Sequence, residues 1–335
     1  MSNIFKIILF ILLGILAQAK DYTNKQITQD FIDKMVTKHH FSRDYLYTLF
    51  SDVEFQGKAL SIFLPHPNRT KRKKPKHGSW DIYERKLIGD TRARKGAEYI
   101  YKHRDLFRRI YRRYGVEPEY VASIIGIESY YGENRGKFPV FDTLSTLGFE
   151  TNRRSKYFRY ELEKFLLLSR SESFNPKNVK GSYAGAIGLG QFMPSTYKHF
   201  AVDFDGDGRK SMQTTSDAIA SVANYLRKHG WKRGAPVATR VSYKGNRYTK
   251  RKTGYKHKYS RSSLTELKPK YGTWHYNGKV RLIKLDRKNY DELWYGAKNF
   301  YVITRYNHSS YYAMAVYQLA QKIKKEYKKL YGDLK

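Results

Sequence analysis

Apolar positions along this chain recur mostly at helical spacing. FIDKMVTKHHF and the segment around YLYTLF place hydrophobic residues three and four apart, which predicts two short helices. The period returns from Ala93 to Tyr114 and ends at Gly115. Pro118 then sits where a first-turn proline is tolerated, and EYVASIIGIESYY predicts the next helix, up to Gly132. KYFRYELEKFLLLSR predicts a further strong helix, and Asp217 to His229 another. Between about Gly234 and Tyr295 the period shortens. VATRVSYKG, GTWHYNG and VRLIKLD read as strands separated by Gly, Asn and Lys. Helix resumes from Ser310 through Lys329, where YYAMAVYQLAQKI supplies an apolar stripe. Helix, sheet, helix in that order predicts an α+β fold, mainly α, with a small antiparallel β subdomain inserted. HPNRTKRKKPKH, between Pro65 and His77, reads as an exposed basic loop.

The first residues set the compartment. Lys6 precedes an apolar run from Ile7 to Leu16, and Ala17-Gln18-Ala19 offers small residues for cleavage. Residues 1–19 therefore read as a secretory signal peptide cut after Ala19. The alternative is an uncleaved anchor, for which the run is short. Composition takes its meaning from that setting. Against 30 acidic residues stand 65 Lys and Arg, a net charge of +35 at pH 7, which implies anionic surroundings or an anionic substrate. Export makes envelope polymers, rather than nucleic acid, the expected partners. The 31 tyrosines suit sugar, base and peptide platforms alike. The absence of Cys excludes zinc fingers, thiol chemistry, iron–sulfur clusters and a lipidated Cys anchor.

Three segments carry candidate chemistry. In YVASIIGIESYYG, Glu128 falls seven, four and three residues after Val121, Ile124 and Ile125, on their apolar face. A carboxyl there is costly unless paired or opened to a cleft, and burial would raise its pKa towards that of a general acid. A buried structural Glu paired with an Arg is the competing reading. Glu133 lies in a Gly-bounded loop facing solvent, and Asp142 is placed as a helix N-cap, so no second carboxylate offers itself for paired glycosidase chemistry. KGSYAGAIGLGQFMPSTY packs Gly181, Gly185, Gly188 and Gly190 before Gln191, without the pattern of a phosphate loop or dinucleotide fingerprint. Those glycines allow either close approach to a bulky ligand or a purely structural turn. In DFDGDGRK, Asp203, Asp205 and Asp207 occupy positions 1, 3 and 5 of a calcium loop, and the Arg209 carbonyl position 7. Position 12 is Thr214 rather than Glu; Asp217, at position 15, would close a longer loop. No His lies near enough for zinc.

In order, IIGIESYYG, TLGFETNRR, KGSYAGAIGLGQFMPSTY, AVDFDGDG, DAIASVANYLRKHGW and ITRYNHSSYYAMAVYQL resemble the lytic murein transglycosylase B family, glycoside hydrolase family 103, from about Ser79 to Leu319. The resemblance implies a lysozyme-like catalytic domain with extra helical structure and a small β domain. It implies cleavage of the β-1,4 bond between N-acetylmuramic acid and N-acetylglucosamine, leaving a 1,6-anhydromuramyl end. Glu128 would be the sole acid/base. Tyr83, from SWDIYERK, would line the groove, Ser182 and Gln191 would hydrogen-bond the sugar, and Arg153 and Arg154 would meet lactyl or peptide carboxylates. Phe192, Tyr225, Tyr306 and Asn307 would complete the groove. Asp203, Asp205, Asp207, Arg209 and Asp217 would hold a structural Ca2+, with no cofactor for catalysis. The rival readings are a hydrolytic muramidase and a non-catalytic wall-binding protein.

The expected division of the chain is signal peptide 1–19, N-terminal helical region 20–115, catalytic core 116–233 with the EF-hand-like loop 203–217, β subdomain 234–298, and a C-terminal segment 299–335 returning to the core. Without a Cys anchor, a soluble periplasmic enzyme of a Gram-negative cell is expected, acting on peptidoglycan strands and associating weakly with envelope polyanions. The Lys-rich loop at Lys71–Lys76 and the basic insertion at Lys250–Lys258 have no role in this reading.

Overall fold

A computed structural model describes residues 19–65 and 77–333. Residues 1–18, all but the last of the expected signal peptide, and the basic loop 66–76 lie outside the described residues. In chain order the first helices are α1 (Gln26–His39), α2 (Arg43–Ser51), α3 (Gly57–Phe63), α4 (Ser79–Leu87), α5 (Asp90–Lys102), α6 (Arg104–Tyr114) and α7 (Pro118–Ser129). There follow α8 (Val140–Phe149), α9 (Ser155–Ser171), α10 (Pro194–Phe200), α11 (Thr215–Lys228), α12 (Lys298–Tyr306) and α13 (Ser310–Tyr331). Two-residue strands β1 (Ala19–Lys20) and β2 (Val53–Glu54) pair with each other, as do β3 (Phe138–Pro139) and β4 (Lys180–Gly181). A four-stranded antiparallel sheet comprises β5 (Ala238–Tyr243), β6 (Leu267–Pro269), β7 (Arg281–Asp286) and β8 (Asp291–Gly296), in the spatial order β6-β5-β8-β7.

Helix α7 is the axis of the molecule. Pro118 opens it, using a fixed φ where a helix needs no N–H. Residues Tyr120 through Gly126 are all buried, as in a helix covered on every side. It packs on α13 and α5, and Ser123 Oγ donates to the Val316 carbonyl of α13 at 2.8 Å. The C-terminal segment is thereby locked against a helix nearly two hundred residues earlier. One apolar core runs from Tyr22 to Tyr327 through nearly all the helices.

The sheet shows why period two mattered. On β7, Ile283 and Leu285 join the helical core, whereas Leu282 belongs to a second small core with Val241, Leu293 and Tyr295. The loops between β5 and β7 cover that second face with Tyr248 and Leu264. The β7–β8 hairpin also clamps α4. Asp286 accepts from Ser79 N at 3.1 Å and Ser79 Oγ at 2.9 Å, and Arg287 bridges Asp81 and Glu84. That clamp fixes the helix carrying Tyr83.

The structure departs from expectation at several elements. The run Ala93–Tyr114 is two helices, because His103 (φ −115°, ψ 26°) leaves helical geometry between α5 and α6. GTWHYNG is a loop whose Trp274 stacks on Tyr295; the strands are instead LKP and DELWYG. Asp142 is not an N-cap. It lies within the first turn of α8, buried, accepting from Glu54 N and paired with Lys177 at 3.0 Å. Glu133 is exposed as expected and pairs with Lys95.

Candidate active site

Glu128 sits one residue from the C-terminus of α7, at the end where the helix emerges from the core. The three residues after the helix all have positive φ: Tyr130 at 51°, Tyr131 at 60° and Gly132 at 95°. Such a turn is strained for tyrosines, and packing holds it. Tyr131 folds back under the helix to donate to the Arg92 carbonyl at 2.8 Å. A Cβ on Gly126 would lie 2.5 Å from that hydroxyl, so Gly126 makes room for the turn.

The Glu128 side chain keeps partial contact with solvent but is otherwise walled in by protein. Burial lifts its pKa from the ordinary 4.5 to about 7; a hydrogen bond from Tyr312, whose hydroxyl donates to Oε1 at 2.7 Å, opposes the rise. No other charged group contributes to the shift, so neither an arginine partner nor a second carboxylate governs it. Burial first, and then the Glu128 charge, raises the phenol pKa values of Tyr83, Tyr306 and Tyr312, so one tyrosine from α4 and two from the α12–α13 junction lie near one carboxyl. Tyr306 and Tyr312 stack nearly parallel, 6.4 Å between centroids.

Sequence reasoning missed Tyr312. It lies at i−4 and i−7 from Val316 and Leu319, on the apolar stripe of α13, where it reads as core. Its position is set locally by Ser309, the N-cap, which accepts from Tyr312 N at 3.2 Å.

The glycine-rich turn serves the protein's own packing. A Cβ on Gly188 (φ 73°) would meet the Met212 carbonyl oxygen at 2.1 Å, and one on Gly181 the Ala186 oxygen at 2.3 Å. Of the two readings of these glycines, the structural turn is the one supported. The turn ends at Gln191, itself at φ 51°, whose Nε2 donates to the Gly188 and Arg135 carbonyls at 2.8 and 3.1 Å. Ser182 Oγ accepts from the backbone N–H groups of Ala184 and Ala186.

Tyr306 ties this turn to Glu128, its hydroxyl donating to the Gly190 carbonyl at 2.5 Å. Phe192 is fully buried and Tyr225 nearly so; both rings stand behind Tyr306, at 5.9 and 4.9 Å, and support the wall instead of lining it. Asn307 is exposed beside Tyr306. Arg153 and Arg154 are exposed on another segment. Arg153 donates to the Phe63 carbonyl, and Arg154 stacks on Tyr157 at 4.2 Å. Their link to the turn runs through Phe63, whose ring lies 6.2 Å from that of Tyr183.

In the aspartate loop, carboxylate oxygens of Asp203, Asp205 and Asp217 converge to within 4.8 Å of one another. That cluster fits a hard cation with oxygen ligands. Asp207 lies outside the cluster and accepts from Arg209 N at 2.8 Å. Asp217 is buried, holds the loop through Phe204 N and Ser211 N at 2.8 Å each, and has its pKa raised, chiefly by burial and further by Asp205. Among the described residues, no helix is long and apolar enough to cross a membrane.

A family profile described as the transglycosylase SLT domain matches residues 23–321, so the N-terminal helices belong to the family's extent as well as the segment from Ser79. The chain is 41% identical over 314 residues to membrane-bound lytic murein transglycosylase B of Escherichia coli strain K12, spanning 92% of this chain and 86% of that one. The solved Escherichia coli lytic transglycosylase Slt35 in complex with bulgecin A superposes with TM-score 0.83 at 40% identity, covering 93% of this chain and 97% of its own. The same enzyme in complex with calcium gives TM-score 0.83 at 39% identity, with the same coverage. Profile, sequence and fold agree over nearly the whole length: the chain belongs to the lytic murein transglycosylase B family.

Proposed function

We propose that the groove around Glu128 takes a peptidoglycan glycan strand and that this one carboxyl carries the whole acid–base cycle of a lytic transglycosylase. The enzyme cleaves the β-1,4 bond between N-acetylmuramic acid and N-acetylglucosamine and leaves a 1,6-anhydromuramyl end. The observation that carries the reading is a lone carboxyl with pKa about 7, caged by tyrosines and perturbed by no other carboxylate. Near neutral pH it is available in both protonation states, as consecutive acid and base roles require. Protonated Glu128 donates to the glycosidic oxygen as the bond to muramyl C1 breaks. The carboxylate left behind, held by the Tyr312 hydroxyl, takes the proton of the muramyl C6 hydroxyl while that oxygen bonds C1. Glu128 ends as it began, and no water is consumed. Paired-carboxylate glycosidases need a second group because water must enter; here the nucleophile is already on the sugar.

Gln191 and Ser182 are assigned to the sugar hydroxyls, Tyr83, Tyr306 and Asn307 to the groove surface, Phe192 and Tyr225 to its backing, and Arg153 and Arg154 to substrate carboxylates. The structural ion is Ca2+, on Asp203, Asp205 and Asp217 with the Arg209 carbonyl; Asp207 shapes the loop. The ion acts at a distance on the groove, because Met212 within this loop accepts from Leu189 N at 2.9 Å and so braces the turn that aims Gln191. Residues 116–233 with 299–335 form the catalytic unit, 20–115 the helical region packed on it and 234–298 the β subdomain. The mature enzyme begins after Ala19 and works in the periplasm, its positive charge favouring weak association with anionic envelope polymers. Digestion of purified peptidoglycan followed by mass analysis tests the reaction. Anhydromuramyl ends are expected; reducing muramic ends would mark a hydrolase, and intact strands a binding protein.

A further inference from the structure

The basic insertion at Lys250–Lys258, which has no part in glycan cleavage, borders a second cleft. Residues Gly254–Lys258 leave the small sheet and are pinned at two points: Gly254 N donates to the Leu282 carbonyl at 2.7 Å, and Tyr255 N to Ser310 Oγ at 3.1 Å. This sets the loop beside the end of α12. Between them lies an open cleft of about 470 Å³ whose lining includes Lys256, Lys258, Arg281, Tyr301, Arg305 and His308. No acidic residue lines it.

Arg281 makes the cleft more than a charged surface. Its residue is 3% exposed, and its guanidinium stacks on Tyr301 at 4.2 Å. Nε donates to the Tyr255 carbonyl at 2.8 Å; the two terminal nitrogens have no hydrogen-bond partner among the described residues. Neither Arg281 nor Arg305, Lys256 or Lys258 forms a salt bridge there, and every Asp and Glu of the chain lies in the described segments. A buried guanidinium without a counter-ion is costly, which is the state expected of an anion site awaiting its ligand. Arg305 and His308 flank Tyr306 and Asn307, and Tyr225 donates to the Arg305 carbonyl at 2.5 Å, so the cleft shares a wall with the groove. A strand lying in that groove carries short peptides on its muramyl lactyl groups, each ending in a carboxylate.

We propose that this cleft is a carboxylate subsite for the peptide stems of the glycan substrate. Arg281 offers a planar two-nitrogen fork from the floor, and Lys256 and Lys258, both exposed, supply charge at the rim. The enzyme thereby reads peptide substitution on the strand in addition to its sugars. The inference rests on the glycan-cleaving reading above.

The test compares strands carrying intact stems with strands stripped of stems by an amidase, measuring kcat and KM from anhydromuramyl ends released. Wild type should favour intact strands by roughly tenfold in kcat/KM, the scale of a few solvent-exposed ionic contacts, with the difference mainly in KM. Lys256→Gln/Lys258→Gln and, separately, Arg281→Gln should narrow the preference severalfold, Arg153 and Arg154 retaining the rest, and keep the wild-type rate on stripped strands. The surface double variant guards against misfolding of the buried one. Equal wild-type activity on both substrates, a preference undiminished in the double variant, or an equal loss on both substrates would each overturn the subsite. Absence of anhydromuramyl ends from either substrate would instead overturn the reaction itself.

Discussion

Replacing Glu128 by Gln tests chemistry and energetics with one side chain. The amide keeps the shape and can still accept from Tyr312, but it neither donates a proton to the leaving oxygen nor takes one from the C6 hydroxyl. Each proton transfer is worth roughly 10²–10⁴-fold, so turnover should fall at least about a thousandfold. The same substitution should stabilise the fold in a pH-dependent way. A carboxyl lifted from 4.5 to about 7 stays protonated in the folded chain over a range where the unfolded chain ionises it. Stability is therefore lost as pH rises through that window, at about 1.36 kcal/mol per pH unit, to a plateau of about 3 kcal/mol above pH 7. Gln carries no such penalty. Wild type and variant should melt together near pH 4 and diverge by about 4–5 °C at pH 8, at roughly 0.7 kcal/mol per degree for a chain of 335 residues. Thermal melts across pH 4–8 and muropeptide release measure the two effects. A stability difference that does not grow with pH would refute the burial argument, and retained activity would refute the acid–base role.

Tyr312→Phe removes the donor that favours ionised Glu128. The high-pH limb of the pH–rate profile should move upward and kcat should fall about tenfold, the scale of one hydrogen bond to a charged group; an unmoved profile contradicts the assignment. Calcium at a hundred times its Kd should stabilise the fold by about 2.7 kcal/mol, near 4 °C in Tm, and Asp203→Ala should abolish the increment. Equal melting with calcium and with chelator would remove the ion from the account. Gly188→Ala forces a Cβ to within 2.1 Å of the Met212 carbonyl at φ 73°, so Tm should drop by several degrees, consistent with about 2–3 kcal/mol. A wild-type melting curve would show that the turn yields more easily than its contacts imply.

Local chemistry was legible in the sequence because its causes are local. Pro118 and the apolar period announce α7, and of the three alternating aspartates Asp203 and Asp205 converge with Asp217, while Asp207 lies outside the cluster. Glu128 stood out because a carboxylate on an apolar face demands a reason. Where the cause was long-range, the reading slipped. Asp142 looked like an N-cap until Lys177 and Glu54 N claimed its carboxylate. Phe192 lies in a family motif but is buried, packed with Tyr225 behind Tyr306. His103 breaks a helix that the apolar period alone ran straight through.

Tyr312 shows most clearly what pattern reading omits. A stripe of apolar residues says which face of α13 is buried, not what that face will meet, and 184 residues separate Tyr312 from Glu128. The contact arises only after the sheet between α11 and α12 has brought the chain back and Ser123 has locked α13 onto α7. Without that closure Glu128 would end an open helix with neither Tyr306 nor Tyr312 over it, and the burial that lifts its pKa would be lost. Its catalytic pKa is therefore a product of tertiary assembly. The motif ITRYNHSSYYAMAVYQL was legible as a string, but only its meeting with IIGIESYYG in space brings Tyr306 and Tyr312 to Glu128 and makes the general acid.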